Sequence, residues 1–238
     1  MTNLFAFGCS HTFGYGLRDV IPYMDYYEDW VDKSTDFEDN YTFASKLAWP
    51  QILANKLKLK CNNYGYCGAN SKEVVWIFTQ CLQRNKILTN DTVTILWPAF
   101  LRTGIFHKSK TVHRRSERLW PDATDKRSAE FFFNYYDEYD FAIQRWQEII
   151  LVDLLCKERG INCYHTLVNE ELHPKEVELD EITKNMNIDY IPIESPKFSS
   201  PWIVDKARDG MHYGVESHKL IANKWHTFIT SINNTVLE

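Results

Sequence analysis

Short apolar runs alternate along the chain with longer segments whose apolar residues recur every three or four positions. Residues 4–7 form an uninterrupted apolar run and predict a short, fully buried first strand. Trp49–Leu57 has helical spacing, with Pro50 in the first turn, where a helix tolerates it. Residues 60–64 predict a second strand. Asn70, with Glu73 three residues later, has the form of a capping box and opens a helix that runs to about Arg84. Thr92–Trp97, preceded by an Asn90-Asp91 turn, is the clearest strand of the chain. A long helix is predicted over residues 138–159, with Ile143, Trp146, Ile150 and Leu154 on one face and Gly160 as its stop. Strands follow at 161–166 and 188–193. A last helix covers 215–232, with an apolar stripe of Ile221, Trp225, Phe228, Ile229 and Ile232.

Strands that alternate with helices predict an α/β protein: a three-layer α/β/α sandwich around a central parallel sheet of about five strands. No Gly/Ser/Pro-rich linker divides residues 1–238, so a single domain is expected. Residues at about 98–137 interrupt the alternation. They hold the basic residues Lys108, Lys110, Arg114, Arg115 and Arg118 and the aromatic stretch 131–136, and they read as an insertion. Residues 15–41 read as a long acidic loop. In open parallel sheets ligands bind beyond the carboxyl ends of the strands. Ser10 follows the first strand, Gly65 and Gly68 follow the second, and Trp97 ends the third, so all of them fall on one edge.

Composition narrows the reading. Of the 238 residues 44% are hydrophobic, enough for a sizeable core, and the net charge of −5 argues against a nucleic-acid binder. None of the six cysteines forms a Cys-x-x-Cys pair, and several sit in apolar runs, as reduced buried thiols do. No metal-ligand spacing emerges, and neither metal nor cofactor is expected. The absence of a basic leader and of a long apolar run predicts a soluble, cytoplasmic protein without membrane contact.

Two short motifs carry the chemistry. Phe7-Gly8-Cys9-Ser10-His11-Thr12-Phe13-Gly14 places a hydroxyl directly after the first strand, and Asp209-Gly210-Met211-His212 lies just before the last helix. A serine hydroxyl needs a base within hydrogen-bond reach, and that base needs a carboxylate to fix its tautomer. Ser10, His212 and Asp209 supply the three groups. The oxyanion of acyl transfer needs backbone N–H donors at tight turns. Ser10 and Gly68 are the candidates. Cys9 and Cys67 are rival nucleophiles by residue type, but packing suits them better, since no electropositive setting is visible. His218 reads as structural or exposed.

These segments resemble the SGNH (GDSL-type) hydrolases, and within them a branch met in bacteriophage genomes. Gly8-Cys9-Ser10 matches the first block, with Cys9 where the family has Asp. Asn63 and Gly68 have the spacing of the second block, and Asp209 and His212 match the last. The resemblance implies a flavodoxin-like sandwich and a serine hydrolase with Ser10, His212 and Asp209 as the triad. The expected reaction is removal of a small acyl group, such as acetyl, from a carbohydrate. The third block, Gly-x-Asn-Asp, is missing. Trp97-Pro98-Ala99-Phe100-Leu101-Arg102 stands in its place, so Asn70 or Arg102 is expected to supply the missing stabilisation. His11, Trp97 and Arg102 are the expected substrate-binding residues, and a small-molecule or glycan ester is the expected partner. An acyltransferase on the same residues, or a catalytically weak binding or assembly module, are the alternatives.

Overall fold

The computed structural model describes residues 2–20, 43–99, 102–106, 116–119, 126–135, 137–168, 188–191 and 202–235. Four parallel strands make the central sheet: β1 (Asn3–Gly8), β2 (Lys60–Gly65), β3 (Thr92–Trp97) and β6 (Asn162–Leu167), in the order β2-β1-β3-β6. Every residue of β3 is buried, as a central parallel strand requires. Gly8 stands opposite Gly65 on one side and Leu96 on the other. The segments after β1, β2 and β3 therefore leave the sheet side by side. The chain steps to one side of β1 to make β2 and to the other side to make β3. That reversal puts the switch point of the sheet next to Ser10.

Helices cover both faces. The crossover from β1 to β2 contains α2 (Trp49–Leu57), and the one from β2 to β3 contains α3 (Ser71–Gln83). They run in opposite directions across the sheet, so right-handed connections place them on opposite faces. α2 packs with α6 (Val215–Thr235), where Trp49 stacks on Trp225 at 5.8 Å between ring centroids. α3 packs with α5 (Glu138–Glu158), and Phe78 of α3 meets Phe7 of β1 edge-on at 5.7 Å. The capping box at α3 is formed in full. Asn70 Oδ1 accepts from the Glu73 N–H at 3.1 Å, and Glu73 Oε2 accepts from the Asn70 N–H at 3.0 Å.

Two expectations need correction. The fifth strand is reduced to a single parallel bridge between His165 and Tyr190 on the edge of β6, and residues 192–193 lie outside the described ones. The long helix buries Ala142, Arg145, Trp146, Ile149, Val152, Asp153 and Cys156, whereas Leu154 is 50% exposed. Its buried face is rotated from the expected one because two charged side chains belong to it. Within the interrupting segment the described residues form an antiparallel ribbon of β4 (Thr103–Phe106) and β5 (Ser116–Leu119), followed by α4 (Lys126–Asn134). On α4 Phe131 packs against Phe132 and Phe141, while Phe133 and the following Tyr135 face solvent. Residues 107–115, which hold most of the basic cluster, and most of the expected acidic loop lie outside the described residues. All six cysteines are free, and five are buried. No helix among the described residues is long and apolar enough to cross a membrane.

Candidate active site

Ser10 begins a four-residue helix, α1 (Ser10–Phe13), directly beyond β1. The turn into it depends on Gly8, whose φ is +154°. A Cβ there would overlap Thr12 Oγ1 and come within 2.6 Å of the Leu96 carbonyl oxygen. Only glycine fits between α1 and β3. Residues in the first turn of a helix have no intrahelical acceptor for their N–H groups, which frees the Ser10 amide for a ligand.

The loop after β2 is tied to this turn. Asn63 Nδ2 donates to the Thr12 carbonyl at 2.8 Å, Asn63 Oδ1 accepts from the Gly65 N–H at 2.9 Å, and the Tyr66 N–H donates to the Gly8 carbonyl at 2.9 Å. A turn closed by the Ala69 N–H on the Tyr66 carbonyl holds Gly68 at φ +73°, a conformation that suits glycine at its third position. Asn70, expected as an oxyanion donor, is 1% exposed and serves as the cap of α3. Its part in the site is to fix the loop that carries Gly68.

The last motif lies on a hairpin held from both ends. Lys206 bridges Tyr213 in antiparallel fashion, and the Ala207 N–H donates to the His212 carbonyl at 2.8 Å. Asp205 accepts from the N–H groups of Glu216 and Ser217 and so fastens the hairpin to the first turn of α6. Within the hairpin Asp209 Oδ1 accepts from the N–H groups of Met211 and His212, at 2.9 and 3.0 Å. His212 Nδ1 lies 2.6 Å from Asp209 Oδ2, and His212 Nε2 lies 2.9 Å from Ser10 Oγ. Partial burial pushes the Asp209 carboxyl up, but the His212 and Met211 N–H groups and the His212 ring outweigh it and hold the pKa below the usual carboxylate range. With Asp209 ionised, Nδ1–H donates to the carboxylate, and Nε2 is left to accept from the serine hydroxyl. This is the tautomer needed to draw a proton from Ser10.

Aromatic rings surround the imidazole. His11 stacks on Tyr213 at 3.9 Å and lies 5.3 Å from the His212 ring, while Tyr15 approaches His212 at 5.0 Å. Burial, followed by the neighbouring His212 and Arg102, holds His11 well below the ordinary histidine pKa. His11 adjoins the His212 ring, and the charge of Arg102 is felt at His11. Trp97 is not there. It is fully buried, and its Nε1–H donates to His165 Nδ1 at 3.1 Å under a stacked ring. It is a core residue and does not reach a ligand. His218 is structural: its Nδ1 accepts from the Trp49 N–H at 3.1 Å in the core, and burial pushes its pKa down to about 4. Tyr15 and Tyr213 are neighbours that motif reading passes over, although one directly follows the histidine.

A parallel α/β/α sandwich with a serine at the end of its first strand and Asp-x-x-His before its last helix has the architecture of the SGNH (GDSL-type) hydrolases, and the chain has that fold. Solved structures that share it include a protein assigned to the lipolytic G-D-S-L family from Desulfitobacterium hafniense, at 11% identity and a TM-score of 0.52, covering 96% of this chain and 99% of the other. A second is the psychrotrophic esterase EstA from a Pseudoalteromonas species, solved inhibited by monoethylphosphonate, at 10% identity and a TM-score of 0.52, covering 98% and 100%. A third is a carbohydrate esterase whose active site has divergent catalytic and non-catalytic binding functions, at 11% identity and a TM-score of 0.50, covering 97% of this chain and 65% of the other. No protein-family model matches the chain, and no curated protein matches it.

Proposed function

We propose that the chain is a serine esterase that removes a small acyl group, such as acetyl, from a carbohydrate ester. The observation that carries this reading is the unbroken line from Asp209 through His212 to Ser10, with contacts of 2.6 and 2.9 Å. Ser10 Oγ attacks the ester carbonyl while His212 Nε2 takes its proton. Asp209 stabilises the imidazolium that results. The Ser10 and Gly68 N–H groups receive the oxyanion, each worth ~3 kcal/mol in the transition state. When the tetrahedral intermediate collapses, the alcohol leaves with the proton from His212 and the acyl group stays on Ser10. Water, deprotonated by His212, then releases the acid and restores the serine. No step calls for a cofactor. The carbohydrate assignment draws on the fold shared with a carbohydrate esterase and on the rings of His11 and Tyr15 beside the imidazole, which suit a sugar face.

The test compares wild type with Ser10→Ala and His212→Ala on 4-nitrophenyl acetate and on acetylated oligosaccharides. Either substitution should lower turnover by roughly 10³-fold or more. Equal rates in all three proteins would remove both residues from the mechanism. A preference for long-chain 4-nitrophenyl esters over acetylated sugars would refute the substrate class alone.

A further inference from the structure

The turn that leaves α1 meets the hairpin of Asp209 and His212 directly. The Ser10 carbonyl accepts from the N–H groups of Gly14 and Tyr15, at 2.9 and 3.0 Å, and the Gly14 carbonyl accepts from the Leu17 N–H at 3.2 Å. Residues 14–17 are thus tied to the backbone of the nucleophile. On the other side, the Gly16 carbonyl accepts from the Arg208 N–H at 3.3 Å, one residue before Asp209. Leu17 is buried in a small apolar cluster with Ala207, and Tyr15 approaches the His212 ring at 5.0 Å. Gly16 has φ +81°. A Cβ on it would stand 2.9 Å from Asp209 Oδ2, and 3.0 Å from Asp209 Cγ and Ala207 Cβ. That Oδ2 is the oxygen facing His212 Nδ1 at 2.6 Å. The backbone at Gly16 therefore sits against the carboxylate that orients the base, with no room for a side chain between them.

We propose that Gly16 is a positioning residue for the triad: the turn after α1 seats against Asp209, so the segment that carries the nucleophile also sets where the carboxylate stands and, through it, the imidazole. Gly16 touches no reacting atom. The inference rests on Ser10 being the esterase nucleophile. A carboxylate is the end of a side chain and gives way more easily than backbone does. Gly16→Ala therefore turns Oδ2 away from its line with His212 Nδ1. Its cost to the fold is mainly the strain of a left-handed alanine. The two effects separate positioning from folding.

The experiment measures urea midpoint, kcat and KM on 4-nitrophenyl acetate, and the low-field proton NMR signal of the His212 Nδ1–H that faces Asp209. It compares wild type with Ser10→Ala, Gly16→Ala, Asp209→Ala, the double variant Gly16→Ala/Asp209→Ala, and Gly160→Ala. Gly160 lies just before β6 at the amino edge of the sheet, with φ +65°, and its Cβ would meet only Thr89 Cγ2, at 3.1 Å. Gly160→Ala reports the strain alone and should lower the midpoint with kcat unchanged. Gly16→Ala should lower the midpoint similarly, lose ~100-fold in kcat with KM little changed, and displace the low-field signal. In the Asp209→Ala background it should cost less than about threefold, because the carboxylate it would strike is gone. A loss of the same factor in both backgrounds, or wild-type kcat in a folded Gly16→Ala chain, overturns the proposal. So does a Gly16→Ala chain that unfolds in both backgrounds, which makes the glycine a requirement of the fold; folding restored by Asp209→Ala supports the proposal. If Ser10→Ala matches wild type in rate, the esterase reading itself fails and the positioning role falls with it. A slow Ser10→Ala beside a fast Gly16→Ala removes the positioning role alone.

Discussion

Replacing His218 with asparagine isolates one proton from the rest of the acid titration. His218 Nδ1 accepts from the Trp49 N–H at the start of α2, and the ring is 1% exposed. Burial depresses its pKa from 6.5 to about 4, against the opposing pull of Asp205 and Asp19 and with a smaller push from His212. The unfolded chain binds this proton near pH 6.5, and the folded chain resists it until about pH 4. Between those values the unfolded state holds more protons, so stability falls as the pH falls. Above pH 6.5 the full contribution is present, and near pH 4 it is gone. At ~1.4 kcal/mol per pH unit, the gap amounts to about 3 kcal/mol, of which about 2 kcal/mol is lost by pH 5. The Oδ1 of asparagine can take the Trp49 N–H without titrating. Urea unfolding of both proteins at pH 7, 6, 5 and 4, followed by tryptophan fluorescence, gives the two stability curves. The wild type should lose about 3 kcal/mol more than His218→Asn between pH 7 and pH 4. Parallel curves would show that His218 binds its proton equally well in the folded and unfolded chain and refute the reasoning.

Asp209→Asn keeps the hairpin but favours the wrong imidazole tautomer, and turnover of 4-nitrophenyl acetate should drop by ~10³–10⁴-fold; an effect under tenfold in the folded variant would exclude Asp209 as the orienting carboxylate. Gly8→Ala forces a side chain against Thr12 Oγ1 and the Leu96 carbonyl, and it should cost at least about 2 kcal/mol in urea unfolding. An unchanged midpoint would mean that α1 does not sit so close to β3. Asp205→Ala removes the acceptor for the Glu216 and Ser217 N–H groups and should lower stability by about 1–2 kcal/mol, measured by thermal unfolding. Restoration by Asp205→Asn, which can still accept at that position, checks that the loss is one of capping.

Most of the architecture could be read from neighbouring residues. The buried run before Gly8, the Asn70–Glu73 capping box and the stripe of Ile221, Trp225 and Ile229 each depend on positions a few residues apart. Hydrophobic period and cap chemistry are local quantities. The phase of α5 could not be read this way. Arg145 and Asp153 count as polar in any period, yet both are buried because partners arrive from other elements: the Pro98 carbonyl for one, and His165 of β6 for the other. Trp97 misled for a similar reason. Its place at the end of β3 pointed to the ligand edge, but its side chain turns into the core, where His165 takes its N–H.

By itself the sequence determined the α/β alternation, the caps, and which residue types were on offer for acyl chemistry, since these follow from short-range pattern and composition. The tertiary structure alone decided that Ser10 and His212, 202 positions apart, come within 2.9 Å. That distance is set by the register of β1 between β2 and β3 and by the Asp205 clasp on the last helix. Cross-strand register and hairpin docking are long-range packing terms, and no window of neighbouring residues contains them.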